Sequence, residues 1–140
     1  MYKGLINNQH TNNYMYKAQT RNIAIVEVLF SIGMRVSEVC NLNYEDINLR
    51  NGVIRVFGKG SKERIIQICQ SETLSIIRTY YQSYKQEIGY SLPIFINRLG
   101  QRVSTQSVRL MIKSYVKKAG LSKRITPHLA RHTFATTITS

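Results

Sequence analysis

The chain has 140 residues, 43% of them hydrophobic, which suits one globular domain with a buried core and argues against a disordered protein. Twenty Lys and Arg residues against seven acidic ones give a net charge of +13, so the sequence favours a polyanionic partner. No apolar run approaches the ~20 residues that cross a bilayer, and the basic residues are scattered with no Trp beside them, which favours nucleic acid over a membrane.

The first half of the chain predicts two helices followed by a hairpin. Residues 1–17 are rich in Asn, Gln and Tyr, lack a secretory signal, and are interpreted as a flexible lead-in or linker. Apolar residues at helical spacing predict a helix over residues 19–32 and, after a glycine, a second short helix over residues 35–42. Residues 53–57 and 65–68 predict two strands, and the glycine-containing turn between them predicts a β-hairpin.

The second half is predicted to be mainly helical. A long helix is expected over residues 71–87, capped by its first serine and followed by a glycine. A short extended segment over 92–96 precedes a helix that starts at residue 104 or 105 and ends at Gly120, and a Thr-Pro pair predicts a last helix from residue 126. The expected fold class is α+β: one domain over residues 18–140, mostly α-helical with a small antiparallel β-sheet.

Two patterns could indicate metal or redox chemistry. Cys40 and Cys69 lie in apolar stretches without metal-ligand spacing, and we expect them to be buried, reduced thiols of a cytoplasmic protein. His128 and His132 are four residues apart, a spacing that lets two imidazoles share zinc. The metalloprotease motif needs Glu after its first His, however, and Leu129 stands there, so we expect no metal site.

Four basic side chains on three segments form a candidate phosphate site. Arg35 follows a glycine at the start of a predicted helix, Lys59 lies in the hairpin turn, and His128 and Arg131 are three apart on one helix. One guanidinium can bind two non-bridging phosphate oxygens at once, and Lys or His can donate or accept protons. From the residue types alone, two interpretations are equally favoured. Either the four residues form one phosphate site, or they are unrelated side chains that are solvated or buried separately.

Three motifs in order are more specific. Residues 33–39 (GMRVSEV) resemble the first signature box of the tyrosine recombinases, the family of phage integrases and Xer-type resolvases. Residues 56–64 (VFGKGSKER) resemble the hairpin that carries the family's catalytic lysine, and residues 126–136 (TPHLARHTFAT) resemble its second box, His-x-x-Arg. A single His-x-x-Arg would mean little, whereas all three motifs in order make the resemblance strong.

The resemblance implies the tyrosine-recombinase catalytic-domain fold and an enzyme that breaks and rejoins double-stranded DNA at specific sites. It implies a 3′-phosphotyrosine intermediate, an assembly of several recombinase protomers, and neither metal nor cofactor. Arg35 and Arg131 would clamp the scissile phosphate, Lys59 would be the general acid for the leaving 5′-oxygen, and His128 would assist proton transfer or hold the phosphate.

The resemblance also suggests roles around these four residues. Lys62 and Arg64 on the hairpin, and His132 beside the second box, are expected to contact DNA. Glu38, one turn after Arg35, is expected to orient the first box and not to take part in catalysis.

The family's further Gly-His motif and nucleophilic tyrosine have no counterpart before Ser140. The chain is therefore expected to be a C-terminally incomplete catalytic domain that cannot cleave DNA alone. The tyrosines at positions 80, 81, 84 and 115 are interpreted as helix or core residues and not as nucleophiles.

Three alternatives stay open. A non-enzymatic DNA-binding remnant or regulator of the same family is the first, and a type IB topoisomerase-like enzyme is less favoured. A small basic RNA-binding protein explains the charge but none of the motifs. The expected location is the cytoplasm of a bacterium or of a phage-infected cell, at the nucleoid.

Overall fold

The computed structural model describes residues 18–58, 60, 62–88 and 92–119. Helix α1 covers residues 18–27 and runs directly into a π-helical turn, Val28–Ile32, so the predicted helix over 19–32 is confirmed with a wider last turn. Gly33 ends it in the left-handed region at φ +83°, where its N–H donates to the carbonyl of Val28. A glycine suits this position because it has no Cβ to strain the backbone.

A small sheet follows the second helix. The elements are α2 (Val36–Asn41), a 3₁₀ turn (Tyr44–Asp46), β1 (Ile47–Asn48), β2 (Val53–Phe57) and β3 (Glu63–Gln67). The three strands are antiparallel in the order β1-β2-β3, which confirms the predicted hairpin and sheet. Strand β1 was not predicted, because two residues are too short to show the alternation that marks a strand.

Two longer helices complete the described part, α3 (Ser71–Ile88) and α4 (Thr105–Ala119). Both were predicted, and the hydroxyl of Ser104 accepts the N–H of Ser107 at 3.0 Å, as expected for an N-cap. The predicted cap of α3 is off by one, because the carbonyl of Gln70 already accepts the first helical N–H, from Leu74, at 3.3 Å. No helix in this described part is long and apolar enough to cross a membrane.

One predicted segment has a different structure, and several other predictions concern residues outside the described part of the chain. The predicted extended segment 92–96 forms two single bridges, Asn43 with Pro93 and Ile96 with Arg102, and no continuous strand. The lead-in over 1–17, the glycines expected to follow α3 and α4, and the helix expected from residue 126 lie outside the described residues.

Tyr80 on α3 occupies the centre of the core. Its side chain is fully buried, its ring stacks on Phe95 with 5.2 Å between centroids, and it packs at 4.9 Å against Tyr84. The hydroxyl donates to the carbonyl of Ile94 at 2.7 Å and accepts the N–H of Ile96 at 3.1 Å. One side chain thereby satisfies two buried backbone groups of an irregular segment.

The other tyrosines singled out in the sequence also lie on helices. Tyr84 is buried on α3, while Tyr81 is half-buried there and stacks on Tyr44 at 5.2 Å. Tyr115 is half-buried on α4, where its hydroxyl accepts from the side-chain amide of Asn22 at 3.2 Å. Their interpretation as helix or core residues is confirmed.

The two cysteines differ in exposure. Cys40 on α2 is buried as expected, but Cys69 is exposed, so the expectation of two buried thiols was wrong for this residue. Ile68, directly after β3, takes the core position, and Cys69 follows it with the opposite parity and so faces solvent.

We predict that Tyr80→Phe lowers the free energy of unfolding by about 1–3 kcal/mol, because a buried N–H and a buried carbonyl lose their partner. Tyr44→Phe removes the hydroxyl of an exposed tyrosine that hydrogen-bonds to Tyr81, and it should cost only about 0.5 kcal/mol because water can replace the lost partner. Urea unfolding of both variants measures this, and equal costs would contradict the role of the Tyr80 hydroxyl.

Candidate active site

The first box lies at the start of α2. Arg35 is the N-cap residue, with extended backbone angles (φ −77°, ψ 155°), and its side chain is exposed. Its backbone N–H donates to Oε1 of Glu38 at 2.8 Å, and its carbonyl accepts the N–H of Val39 at 3.0 Å. Both backbone groups of Arg35 are therefore fixed, while its guanidinium is open to a ligand.

The hairpin contacts this box through Arg64. On β3, Arg64 pairs in register with Val56 and so lies on the inward face of the sheet. Its Nη1 and Nη2 lie 3.3 Å from Oε2 and Oε1 of Glu38, respectively, which forms a forked contact. The Glu38 side chain is only 7% exposed, whereas that of Arg64 is 52% exposed.

Opposing effects set the charge of the Glu38 carboxyl. Burial alone raises its pKa, because a charge is costly away from water. The hydrogen bond from the Arg35 backbone and the hydrogen bond and charge of Arg64 outweigh that effect, so the pKa of Glu38 lies below its ordinary value. Glu38 is therefore a carboxylate at neutral pH, with no proton to give.

The loop between β2 and β3 contains the predicted general acid Lys59. The N–H of Gly58 donates to the carbonyl of Lys62 at 2.9 Å and closes the loop, and Gly60 within it has φ +74°. Lys62 is exposed. Lys59 itself lies outside the described residues, as do His128, Arg131 and His132. Of the seven predicted site residues, the structure thus describes Arg35, Lys62 and Arg64.

The far end of α2 is fixed by contacts that were not predicted from the sequence. Arg102 donates to the carbonyl of Cys40 at 2.9 Å and to Oδ1 of Asn43 at 2.6 Å. Asp46 accepts the N–H of Asn43 at 3.0 Å and pairs with Arg55 of β2 at 3.3 Å. Both ends of the short helix are therefore held by side chains from outside it.

The inward position of Arg64, though not its partner Glu38, could have been predicted from the sequence. Ile66 and Ile68 have the same strand parity as Arg64, and both are at least half-buried. An arginine two residues before such a pair is expected on the inward face, where it needs an anionic partner. The predicted DNA contact of Arg64 rests on its place near the turn and stays a prediction.

Solved structures define the class of the fold. The chain resembles XerA recombinase (32% identity, TM-score 0.66), with 91% of this chain and 47% of that chain covered. It also resembles the XerH site-specific recombinase bound to palindromic difH substrate in a post-cleavage complex (25% identity, TM-score 0.65, 87% and 35% covered). The mostly helical, three-stranded domain is the catalytic-domain fold of tyrosine recombinases, as the motifs implied.

Sequence comparison gives the family. The chain is 47% identical over 126 residues to a tyrosine recombinase of Agathobacter rectalis, covering 90% of this chain and 41% of that protein. It is 42% identical over 120 residues to tyrosine recombinase XerC of Thermodesulfovibrio yellowstonii, covering 82% and 40%. The chain thus spans about two-fifths of the length of these relatives. The model of the phage integrase family matches residues 2–140, and the chain belongs to that family.

We predict that Glu38→Gln lowers the free energy of unfolding by about 1–3 kcal/mol at pH 7, because it removes the charged partner of Arg64. A carboxyl whose pKa is lowered by folding stabilises above its unfolded pKa, and this contribution is lost as pH falls through the folded pKa. The difference from the original protein should therefore persist near neutrality and shrink below pH 4.5, the ordinary value.

The control is Glu45→Gln, since Glu45 is exposed, and it should cost less than about 0.5 kcal/mol at either pH. Chemical unfolding at several pH values measures both variants. A Glu38→Gln penalty that is independent of pH would contradict the ionised pair.

Proposed function

We propose that this protein is a site-specific DNA recombinase that breaks and rejoins duplex DNA through a 3′-phosphotyrosine. Residues 18–140 would belong to its catalytic domain, and residues 1–17 would lead into it. The observation that carries the proposal is the exposed Arg35 guanidinium on a backbone fixed by Glu38, within a chain of the phage integrase family. A fixed backbone keeps a phosphate-binding side chain in place before the substrate arrives.

The proposed chemistry needs no metal. The hydroxyl oxygen of a tyrosine attacks the scissile phosphorus as its proton passes to solvent or to His128, the bond to the 5′-oxygen breaks, and Lys59 gives that oxygen a proton. Arg35 and Arg131 bind the non-bridging oxygens and stabilise the charge that develops there. His128 assists the proton transfer or holds the phosphate. Among the described tyrosines, Tyr80 is excluded as the nucleophile because its hydroxyl is buried between two backbone groups.

The proposed partners are double-stranded DNA and further recombinase protomers. A net charge of +13 supports attraction to DNA, and XerH, which this chain resembles, was solved on its difH substrate. Lys62 and His132 are the proposed DNA contacts beside the site. Since the named relatives are bacterial recombinases, we infer that the protein works in the cytoplasm of a bacterium, at the nucleoid.

The direct test uses the protein encoded by the complete reading frame. A duplex is selected from a randomised pool by binding to it, and a nicked form of that duplex is incubated with it to trap a covalent adduct. An adduct at one position supports the recombinase. Binding without an adduct would support the DNA-binding regulator, and site-independent relaxation of supercoiled plasmid would support the topoisomerase. Preference for structured RNA over this duplex would overturn a DNA function.

We predict that Arg35→Ala in this protein lowers the rate of adduct formation by at least about 100-fold, because transition-state charge loses a guanidinium. The fold should survive, since the side chain is exposed and alanine keeps the N–H that binds Glu38. Arg50→Ala, at an exposed arginine of the β1–β2 turn, should stay within about twofold. Retained cleavage in Arg35→Ala would remove this residue from the site.

We predict that DNA affinity falls steeply with salt, and that Lys62→Gln lowers the magnitude of the log–log slope by about 1 if Lys62 contacts a phosphate. Lys85→Gln on α3 removes the same charge from another exposed position and should leave the slope nearly unchanged. Fluorescence anisotropy with a labelled duplex at several salt concentrations measures this. Equal slopes for the two variants would remove Lys62 as a contact.

A further inference from the structure

We propose that Arg64 is a positioning residue of the cleavage reaction and not a DNA contact. Arg64 lies on the hairpin that carries the proposed general acid. By binding Glu38 it links this hairpin to the start of α2, where the proposed phosphate clamp Arg35 lies. The inference rests on the proposed function and deepens it, because it assigns a residue whose effect on cleavage is exerted through other side chains.

The first argument is how Glu38 is occupied. Its Oε1 accepts the Arg35 N–H at 2.8 Å and receives Nη2 of Arg64 at 3.3 Å, while Oε2 receives Nη1 of Arg64 at 3.3 Å. Each carboxylate oxygen therefore contacts Arg64, and one of them also sets the backbone of Arg35. If Arg64 leaves, a nearly buried carboxylate keeps only one of its contacts in this set, and Oε2 keeps none.

The second argument is the geometry of the hairpin. The loop that contains Lys59 is closed by the backbone bond from Gly58 to Lys62, and Arg64 follows two residues later. On the other strand, Val56 is 2% exposed and anchors β2 in the core. The Arg64–Glu38 contact therefore fixes the β3 side of the loop against the first turn of α2, so that the two proposed catalytic segments keep their relative positions.

The third argument is electrostatic. Binding a phosphate with the same fork would require Arg64 to give up its contacts with Glu38 and leave a buried carboxylate without its charged partner, which is strongly unfavourable. A lysine offers one point charge, whereas the arginine fork meets both carboxylate oxygens. Pairing with Glu38 is therefore more favourable for Arg64 than binding a DNA phosphate.

Arg55 provides a matched control on the same hairpin. It pairs with Asp46 at 3.3 Å, a distance equal to that of the Arg64 pair, and both acidic side chains are 7% exposed. Its register partner is Ile65, on the outward face of the sheet, and its guanidinium lies 5.4 Å from the ring centre of Phe57. Removing Arg55 deletes a comparable ion pair that does not reach Arg35.

The experiment measures single-turnover adduct formation and DNA affinity separately, with the encoded protein and the selected duplex. Arg64→Gln should slow adduct formation from the bound complex about 10- to 100-fold, as expected when reacting groups are misplaced. Its Kd should stay within about twofold of the original value, and the salt slope should be unchanged. Arg64→Lys should recover part of the rate, and Arg55→Gln should leave it within about twofold.

A double-mutant cycle tests the route of the effect. If Arg64 acts through Glu38, the loss in Arg64→Gln plus Glu38→Gln should be close to the larger single loss. The proposal is overturned if Arg64→Gln weakens DNA binding, lowers the salt slope by about 1 and leaves cleavage of bound DNA unchanged. That result would make Arg64 a phosphate contact.

A second measurement does not depend on cleavage. Hydrogen exchange of the Arg35 amide should accelerate in Arg64→Gln and not in Arg55→Gln, because only the first change removes the arginine that holds the acceptor of that N–H in place. Unchanged exchange in both would overturn the proposal even if the protein cleaves no DNA. Failure of the original protein to form an adduct, with Arg35 exchange responding as expected, would instead contradict the proposed function alone.

Discussion

The carboxylate of Glu38 is the constraint around which the candidate site is organised. It is nearly buried, and a buried carboxylate must be paired and hydrogen-bonded to stay charged. Its partners come from two parts of the chain, the backbone at the start of α2 and the inward-facing Arg64 of β3. Satisfying this one group fixes both the first turn of the helix and its distance from the hairpin.

Helix α2 has only six residues, too few to be stable as an isolated helix, so its position depends on tertiary contacts. Val39 and Cys40 pack into the core on its inner face, and Arg102 holds its carboxyl end. Tyr80 in turn holds the segment before Arg102 through two backbone hydrogen bonds. Contacts with the core therefore hold the carboxyl end of α2, and Glu38 holds its amino end, while the Arg35 side chain remains exposed.

Local sequence patterns were sufficient to predict the longer helices and the hairpin strands. The helical spacing before Gly33, the two β-rich runs of the hairpin and the start of α4 at residue 104 or 105 all depend on neighbours in sequence, and the structure confirms them. Strand β1, the exposure of Cys69 and the partner of Arg64 depend on where a strand ends or what lies opposite it. Such contacts between distant residues leave little trace in local composition.

The candidate site shows the same division. The motif around Arg35 indicated the family, which the family model confirms, and it predicted the clamp, because its residue types and spacing are specific. It did not show that Arg64, 26 positions after Glu38, would occupy that carboxylate, since the contact is created by the fold. Strand parity indicates the face on which Arg64 lies, whereas its role at the site stays a prediction.

The most direct test of this account is a crystal structure of the encoded protein on its selected duplex with the scissile phosphate intact. We expect the Arg35 guanidinium within hydrogen-bond distance of the non-bridging oxygens, and both terminal nitrogens of Arg64 still on Glu38. A structure in which Arg64 has left Glu38 and binds a DNA phosphate, or in which Arg35 points away from the DNA, would contradict it.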